Sequence, residues 1–295
     1  MAVGTGKAKT IFLGEHFVVY GCKAIGFGLD KKIEVEINRS SCFEICFGAD
    51  EKIKEALEFF KNSLGVKNFK INIRNSEIPV ASGLGSSAAF NVAAIRALSG
   101  EFDLGLADRQ VCDLAFGAEK IFHGNPSGID NTLSTFGGSI VFQKRPGNNL
   151  IEPLQIGSPL HLVMAHSGVK SGTKNMIDKV RAFKDENETV FSDILNAELI
   201  IVEQAITSVR EGDLKKLGAL MNANHKFLST IGVSRIENEK IISISREYGA
   251  LGTKVVGAGG GGFCAALMEN RGSALALMNA LKKQYQCFYN LVPAT

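Results

Sequence analysis

The sequence predicts an α+β chain folded in two halves, and three observations carry that prediction. Through the first half, stretches of apolar–polar alternation are interspersed with stretches of helical spacing. A segment at 144–159 holds Pro146, Gly147, Asn148, Asn149, Pro153 and Pro159 and lacks a long apolar pattern, so it reads as a boundary. Beyond it, strands and helices resume as a second series. A chain of 295 residues can bury one large core or two moderate ones. The expected domains are 1–150 and 158–295.

Each element follows from its pattern. Ile33, Val35 and Ile37 alternate with Glu34 and Glu36, the period of a half-buried strand. Phe43, Ile45 and Phe47 repeat it, as do Phe69, Ile71 and Ile73. Between these last two runs, Ile53, Ala56, Leu57, Phe60 and Leu64 recur at helical spacing. A helix over 86–99, rich in Ala, Val, Ile and Leu, opens directly from a glycine-rich loop. Asp108 is the expected N-cap of the next helix, whose stripe is Val111, Leu114, Ala115, Ala118 and Phe122. Glu119 falls at the edge of that stripe, so its carboxylate is expected to face a cleft. After the boundary come a strand at 160–165, helical segments over about 173–230 and a strand at 254–256. A strand at 263–268, a helix over 273–284 and a short strand at 288–291 close the chain.

Composition narrows the function. The 45% apolar and 21% charged fractions are those of an ordinary soluble globular chain. A net charge of +3 without a Lys/Arg block leaves no footprint for nucleic acid. The six cysteines, Cys22, Cys42, Cys46, Cys112, Cys264 and Cys287, contain no C-x-x-C pair. With no secretory leader they are expected to be reduced thiols in the cytoplasm. Cys42 and Cys46 have no matching second pair for a metal site and read as buried structural thiols. Polar residues or glycines interrupt every apolar run before it could span a bilayer.

Three strings carry chemistry. Gly83-Leu84-Gly85-Ser86-Ser87-Ala88-Ala89 stands at a helix start, where small residues let backbone N–H groups approach a phosphate and the helix dipole favours an anion. Ser86 and Ser87 add hydroxyls for phosphate oxygens or Mg²⁺. A turn that merely caps a helix has the same composition. The string also matches the G-x-G-x-x-A dinucleotide pattern, with Glu101 and Asp103 roughly 20 residues on. Against a dehydrogenase, the loop follows several strands instead of closing a first βα unit, and Pro79 just upstream fits a loop better than a central strand. The Walker pattern G-x-x-x-x-G-K-[ST] does not occur.

The second string, His123-Gly124-Asn125-Pro126-Ser127-Gly128-Ile129-Asp130-Asn131, follows a predicted helix and sets Asp130 in a turn. Aspartate is a common turn former, so this residue alone means little. The third, Gly257-Ala258-Gly259-Gly260-Gly261-Gly262, is another anion-compatible loop. Two such loops and one framed carboxylate point to phosphoryl transfer, with the carboxylate taking the acceptor's proton.

Together these strings resemble the GHMP kinases, the superfamily of galactokinase, homoserine kinase, mevalonate kinase and phosphomevalonate kinase. Lys9-Thr10-Ile11-Phe12-Leu13-Gly14-Glu15-His16-Phe17-Val18-Val19-Tyr20-Gly21 resembles the family's opening strand and acceptor loop. Pro79-Val80-Ala81-Ser82-Gly83-Leu84-Gly85-Ser86-Ser87-Ala88 resembles its phosphate loop, and 254–262 its C-terminal glycine motif. Within the superfamily, Gly14-Glu15-His16 and the His123-to-Asn131 string are most similar to the mevalonate kinase branch. Ser167-Gly168-Val169-Lys170-Ser171-Gly172-Thr173-Lys174 resembles a further family segment more loosely.

The resemblance implies an N-terminal domain like the second domain of ribosomal protein S5, a ferredoxin-like C-terminal domain, and ATP-dependent phosphorylation of the primary alcohol of mevalonate. It implies Asp130 as the catalytic aspartate, and Lys9 as the lysine that contacts it and the acceptor hydroxyl. It implies Ser86 and Glu119 as the Mg²⁺ pair, Pro79 and Ala81 through Ala88 as the ATP phosphate site, and Glu15, His16, Gly257, Ala258 and Gly259 on the acceptor side. Mevalonate and ATP are the expected partners, a homodimer the expected assembly. A sibling kinase is opposed by apolar Phe17-Val18-Val19, where galactokinase-like loops carry acidic residues and Asn. Homoserine kinases lack an aspartate at the position of Asp130.

Overall fold

The computed structural model describes every residue except Val80, Ala81, Asn125, Asn148 and Ser171, and every side chain except theirs and those of Thr173 and Lys174. Two compact units emerge. The first comprises Met1–Lys9, Gly28–Val80 and Gly85–Gly137; the second comprises Thr10–Phe27, Ala81–Leu84 and Gly138–Thr295. This division in space differs from the division in sequence at 144–159. Backbone pairing is the reason: residues 23–27 form an antiparallel ladder with 139–143, which draws the early chain into the second unit.

Two long strands, β1 (Ala2–Leu13) and β2 (Lys23–Arg39), contribute to both units. In the first unit β2 pairs antiparallel with β4 (Phe69–Ser76), which pairs in parallel with β3 (Glu44–Ile45). The expected strand through Phe43 and Phe47 thus shortens to two residues at the sheet edge. Cys42 there is exposed and Cys46 half-buried, correcting the expectation of buried thiols. Helix α1 (Glu51–Leu64) is capped by Asp50, whose side chain accepts from the Ile53 N–H, and it buries Ala56, Leu57 and Phe60.

Helix α2 (Ser86–Glu101) is almost wholly buried, and β1 lies directly on it. A Cβ added at Gly6 would sit 1.9 Å from the Ala89 carbonyl oxygen, so only glycine permits that approach. Arg96 reaches from α2 to the carbonyls of Thr5 on β1 (2.8 Å) and Thr135 (2.9 Å). Helix α3 (Asp108–His123) starts one residue before expectation. Ala107 is the cap, its N–H held by the Gln110 side chain, while Asp108 is drawn to Arg96 at 2.6 Å. Helix α4 (Ile129–Phe136) takes in Asp130, which the sequence reading sets in a turn. The turn ends at Gly128 in the left-handed region, and Ile129, Leu133 and Phe136 then fall at helical spacing.

In the second unit β5 (Ser139–Gln143) pairs with β2 and with β6 (Leu150–Pro153), an edge strand inside the expected linker. A second sheet of four antiparallel strands has the order β10 (Cys287–Val292), β7 (Leu160–His166), β9 (Phe263–Met268), β8 (Gly252–Val255). Cys264, Ala266 and Met268 alternate onto one face of it, where α8 (Ile236–Glu247) and α9 (Arg271–Leu281) bring Ile241, Ile242, Ala274 and Leu277. The sequence pattern does not anticipate α8 or β5. Helices α5 (Thr173–Glu186), α6 (Glu188–Glu211) and α7 (Leu214–Thr230) occupy the expected 173–230 stretch. Among the described residues no helix is long and apolar enough to cross a membrane.

Candidate active site

The first unit gathers most of the residues singled out for phosphoryl transfer. Lys9 near the middle of β1 is buried, and its Nζ lies 2.9 Å from Asp130 Oδ1. Asp130 stands in the first turn of α4, where free backbone N–H groups and the helix dipole favour its negative charge. Gly85 makes room for the lysine. It has φ +74, and a Cβ there would lie 2.7 Å from Lys9 Cε.

Gly85 also opens α2. The first helical bond runs from the Ala89 N–H to the Gly85 carbonyl, and no side chain caps this end. The N–H groups of Ser86, Ser87 and Ala88 therefore face an anion position as the helix itself leaves them. In the second unit, Gly83 has φ +84, and Ser82 and Leu84 are buried. Ala81 lies outside the described residues, and Pro79 is part-buried. The loop begins well past the end of β4 at Ser76, so it is not the tight strand-to-helix turn of a dinucleotide fold.

Glu119 on α3 is 1% exposed. Burial first, and the neighbouring Asp130 second, push its carboxyl up to about 8, with Ser87, Lys9 and Asn91 acting in the other direction. Ser87 Oγ donates to Glu119 Oε2 at 3.5 Å and Asn91 Nδ2 to Oε1 at 3.1 Å; His123 Nε2 lies 3.4 Å from both Oε2 and Ser87 Oγ. Ser87, more than the expected Ser86, is thus the hydroxyl brought to Glu119. A buried carboxylate with a serine oxygen at 3.5 Å supplies the hard oxygen donors that suit a divalent cation keeping most of its water. Among the described residues no group of three or more His, Cys, Asp and Glu forms a fuller metal cage.

The second unit carries the acceptor-side residues. His16 adopts φ +63, rare for a residue with a Cβ, and its Nε2 lies 3.0 Å from the Ala258 carbonyl oxygen. Burial lowers its pKa to about 4, so the ring is neutral near pH 7. Glu15 is buried, and its carboxylate is ion-paired with Lys254. The glycine loop is braced from several sides. Gly260 N–H donates to the Val233 carbonyl (2.6 Å), and Asn238 Nδ2 to the Gly261 carbonyl (3.2 Å). Ser167 and Val169 exchange backbone bonds of 2.9 Å with Gly262, which gives the loosely matched 167–174 segment a bracing role. Ser171 and the side chains of Thr173 and Lys174 lie outside the described residues, as does Asn125 of the catalytic string.

Asn91, Lys254 and Glu198 are the members that sequence reasoning missed. Their one signal is a polar residue inside an otherwise apolar run, as in Phe90-Asn91-Val92 and Lys254-Val255-Val256.

Family models match at two places: GHMP kinases N terminal domain at residues 51–138, and GHMP kinases C terminal at 205–287. The mevalonate kinase of Thermococcus sibiricus is 34% identical, the match covering 93% of this chain and 91% of that protein. That of Pyrococcus furiosus is also 34% identical, over 91% and 90%. Among solved structures, L. major mevalonate kinase in complex with R-mevalonate superposes with a TM-score of 0.88 at 32% identity, covering 100% of this chain and 97% of that one.

Proposed function

The chain belongs to the mevalonate kinase branch of the GHMP kinase family, and from that premise we propose that it transfers the γ-phosphoryl group of ATP to the primary hydroxyl of mevalonate. The products are 5-phosphomevalonate and ADP. The observation that carries the reading is the Lys9–Asp130 pair at 2.9 Å, set at a helix start in the same unit as the uncapped N-terminus of α2.

Asp130 takes the hydroxyl proton as the alcohol oxygen bonds to the γ-phosphorus and the bond from that phosphorus to the β,γ-bridging oxygen breaks. Lys9 balances the charge on Asp130 and on the developing alkoxide. Backbone N–H groups of the 83–87 loop bind the phosphates. Ser87 with Glu119, and Ser86 beside them, would hold Mg²⁺, which supplies positive charge to the β- and γ-phosphate oxygens when bound. His16 and the Gly257-Ala258-Gly259 backbone serve the acceptor, with apolar Phe17 and Val18 nearby in sequence.

We also assign the family domains to 1–150 and 158–295, since one family model falls in each. We further propose a cytoplasmic location, which the six free cysteines support, and a homodimer, which the family resemblance supports. The deciding experiment is coupled ADP release with Mg·ATP against mevalonate, phosphomevalonate, galactose and homoserine. Release with mevalonate alone is expected; turnover of another member instead would overturn the acceptor assignment.

A further inference from the structure

Three consecutive residues, Gly14, Glu15 and His16, are each held by a different part of the second unit. The Gly14 N–H faces Glu198 on α6 and favours the charged form of its carboxyl. Glu15 is ion-paired with Lys254 on β8, which also donates to the Val255 carbonyl at 2.8 Å. His16 Nε2 meets the Ala258 carbonyl of the glycine loop. Lys254 and Glu198 are both 0% exposed. Glu198 Oε1 accepts from Asn224 Nδ2 at 2.7 Å, and Asn224 is itself fully buried.

A buried ion pair returns little net stability, because taking two charges out of water costs about what their attraction gains. Its use is to fix geometry, and this turn needs fixing: His16 sits in the left-handed region, where a side chain is disfavoured unless its surroundings hold it. The ring contact has a defined polarity. A carbonyl oxygen only accepts, so Nε2 carries the proton and Nδ1 keeps its lone pair. Lys254 adds to burial in keeping the ring uncharged.

Resting on the kinase reading above, we infer that Glu15, Lys254 and Glu198 are positioning residues that lock the Gly14-Glu15-His16 turn, so that His16 offers Nδ1 as a hydrogen-bond acceptor to a hydroxyl of the alcohol substrate. Glu15, expected on the acceptor side, then acts through His16 and does not itself touch the substrate.

The test uses the double variant Glu15→Gln/Lys254→Met, which removes the pair without leaving a buried charge unmatched. Isotope-edited NMR of the His16 ring in substrate-free protein reads the tautomer, and steady-state kinetics read the two substrates separately. The wild type is expected to show one neutral tautomer protonated on Nε2. In the double variant a mixture of tautomers should appear, and KM for mevalonate should rise about tenfold or more while KM for Mg·ATP stays within about twofold. Glu198→Gln, which keeps the shape of the site, should move the same two readouts in the same direction and serves if the double variant does not fold. An unchanged His16 spectrum together with an unchanged acceptor KM in a folded variant would overturn the inference. If the wild type phosphorylates no mevalonate, the kinase reading fails, while the ring spectrum still decides whether the pair controls His16.

Discussion

Replacing Glu198 by Gln should change how stability depends on pH by an amount the structure sets. Burial first, with Glu15 also contributing, pushes the Glu198 carboxyl up to about 7 from the ordinary 4.5, against the opposing effects of Asn224, Lys254 and the Gly14 N–H. A raised carboxyl pKa means the folded state prefers the protonated acid. Below about pH 4 both folded and unfolded chains carry the proton, and the residue costs nothing. As pH rises from there to about 7, only the unfolded chain ionises, so stability falls; above 7 the loss is complete and constant. At about 1.4 kcal/mol per pH unit between the two pKa values, that loss is about 3 kcal/mol. Gln cannot ionise, and its Oε1 can keep the Asn224 bond. It also carries an amide where Glu198 Oε2 has no partner among the described residues, a pH-independent cost of about 1–3 kcal/mol. The clean quantity is therefore a difference of differences: the Gln-minus-Glu stability at about pH 8 less the same value at about pH 4, expected near +3 kcal/mol. Urea unfolding of both proteins at the two pH values measures it. A value within about 1 kcal/mol of zero would refute the reasoning and mean that Glu198 ionises freely where it lies.

Other outcomes follow from the first unit. Asp130→Asn should lower kcat by a factor of about 10²–10⁴ with ATP binding retained, and near-normal turnover would remove Asp130 from the base role. Glu119→Gln should shift the Mg²⁺ dependence of the rate to higher concentrations; titrating Mg²⁺ at fixed ATP and finding the same curve would count against metal binding. Gly85→Ala combines a φ of +74 with a Cβ 2.7 Å from Lys9 Cε, so it should cost about 1 kcal/mol or more in stability and lower kcat by moving the lysine. An alanine variant with wild-type kcat would mean that Lys9 does not depend on that packing.

Much of the candidate site was legible from local strings because its chemistry is local. The Gly85-Ser86-Ser87 helix start and the Pro126-Ser127-Gly128 frame around Asp130 are built from neighbours in the chain, and their backbone conformations follow from residue type. Glu119 is legible from periodicity as the edge of a helical stripe, and its Mg²⁺ role from the family resemblance alone. Its burial, and the choice of Ser87 as its hydroxyl partner, depend on how α3 packs on α2, which no helical period reports. Helix α8 leaves no clear periodic signal because its apolar stripe is short and interrupted by Asn238, a buried side chain that holds the Gly261 carbonyl.

By itself, then, the sequence determined the α+β class and the positions of the glycine loops, since periodicity and residue type act over a few neighbouring residues. Tertiary structure alone decided which groups meet Glu15 and Glu119. Glu15 and Lys254 are distant in the chain and form a buried pair; Asn91 reaches Glu119; residues 23–27 leave the N-terminal stretch to pair with 139–143. Pairing of this kind depends on the whole core excluding water from groups that are separately soluble, and a linear pattern carries no record of which partner will be there.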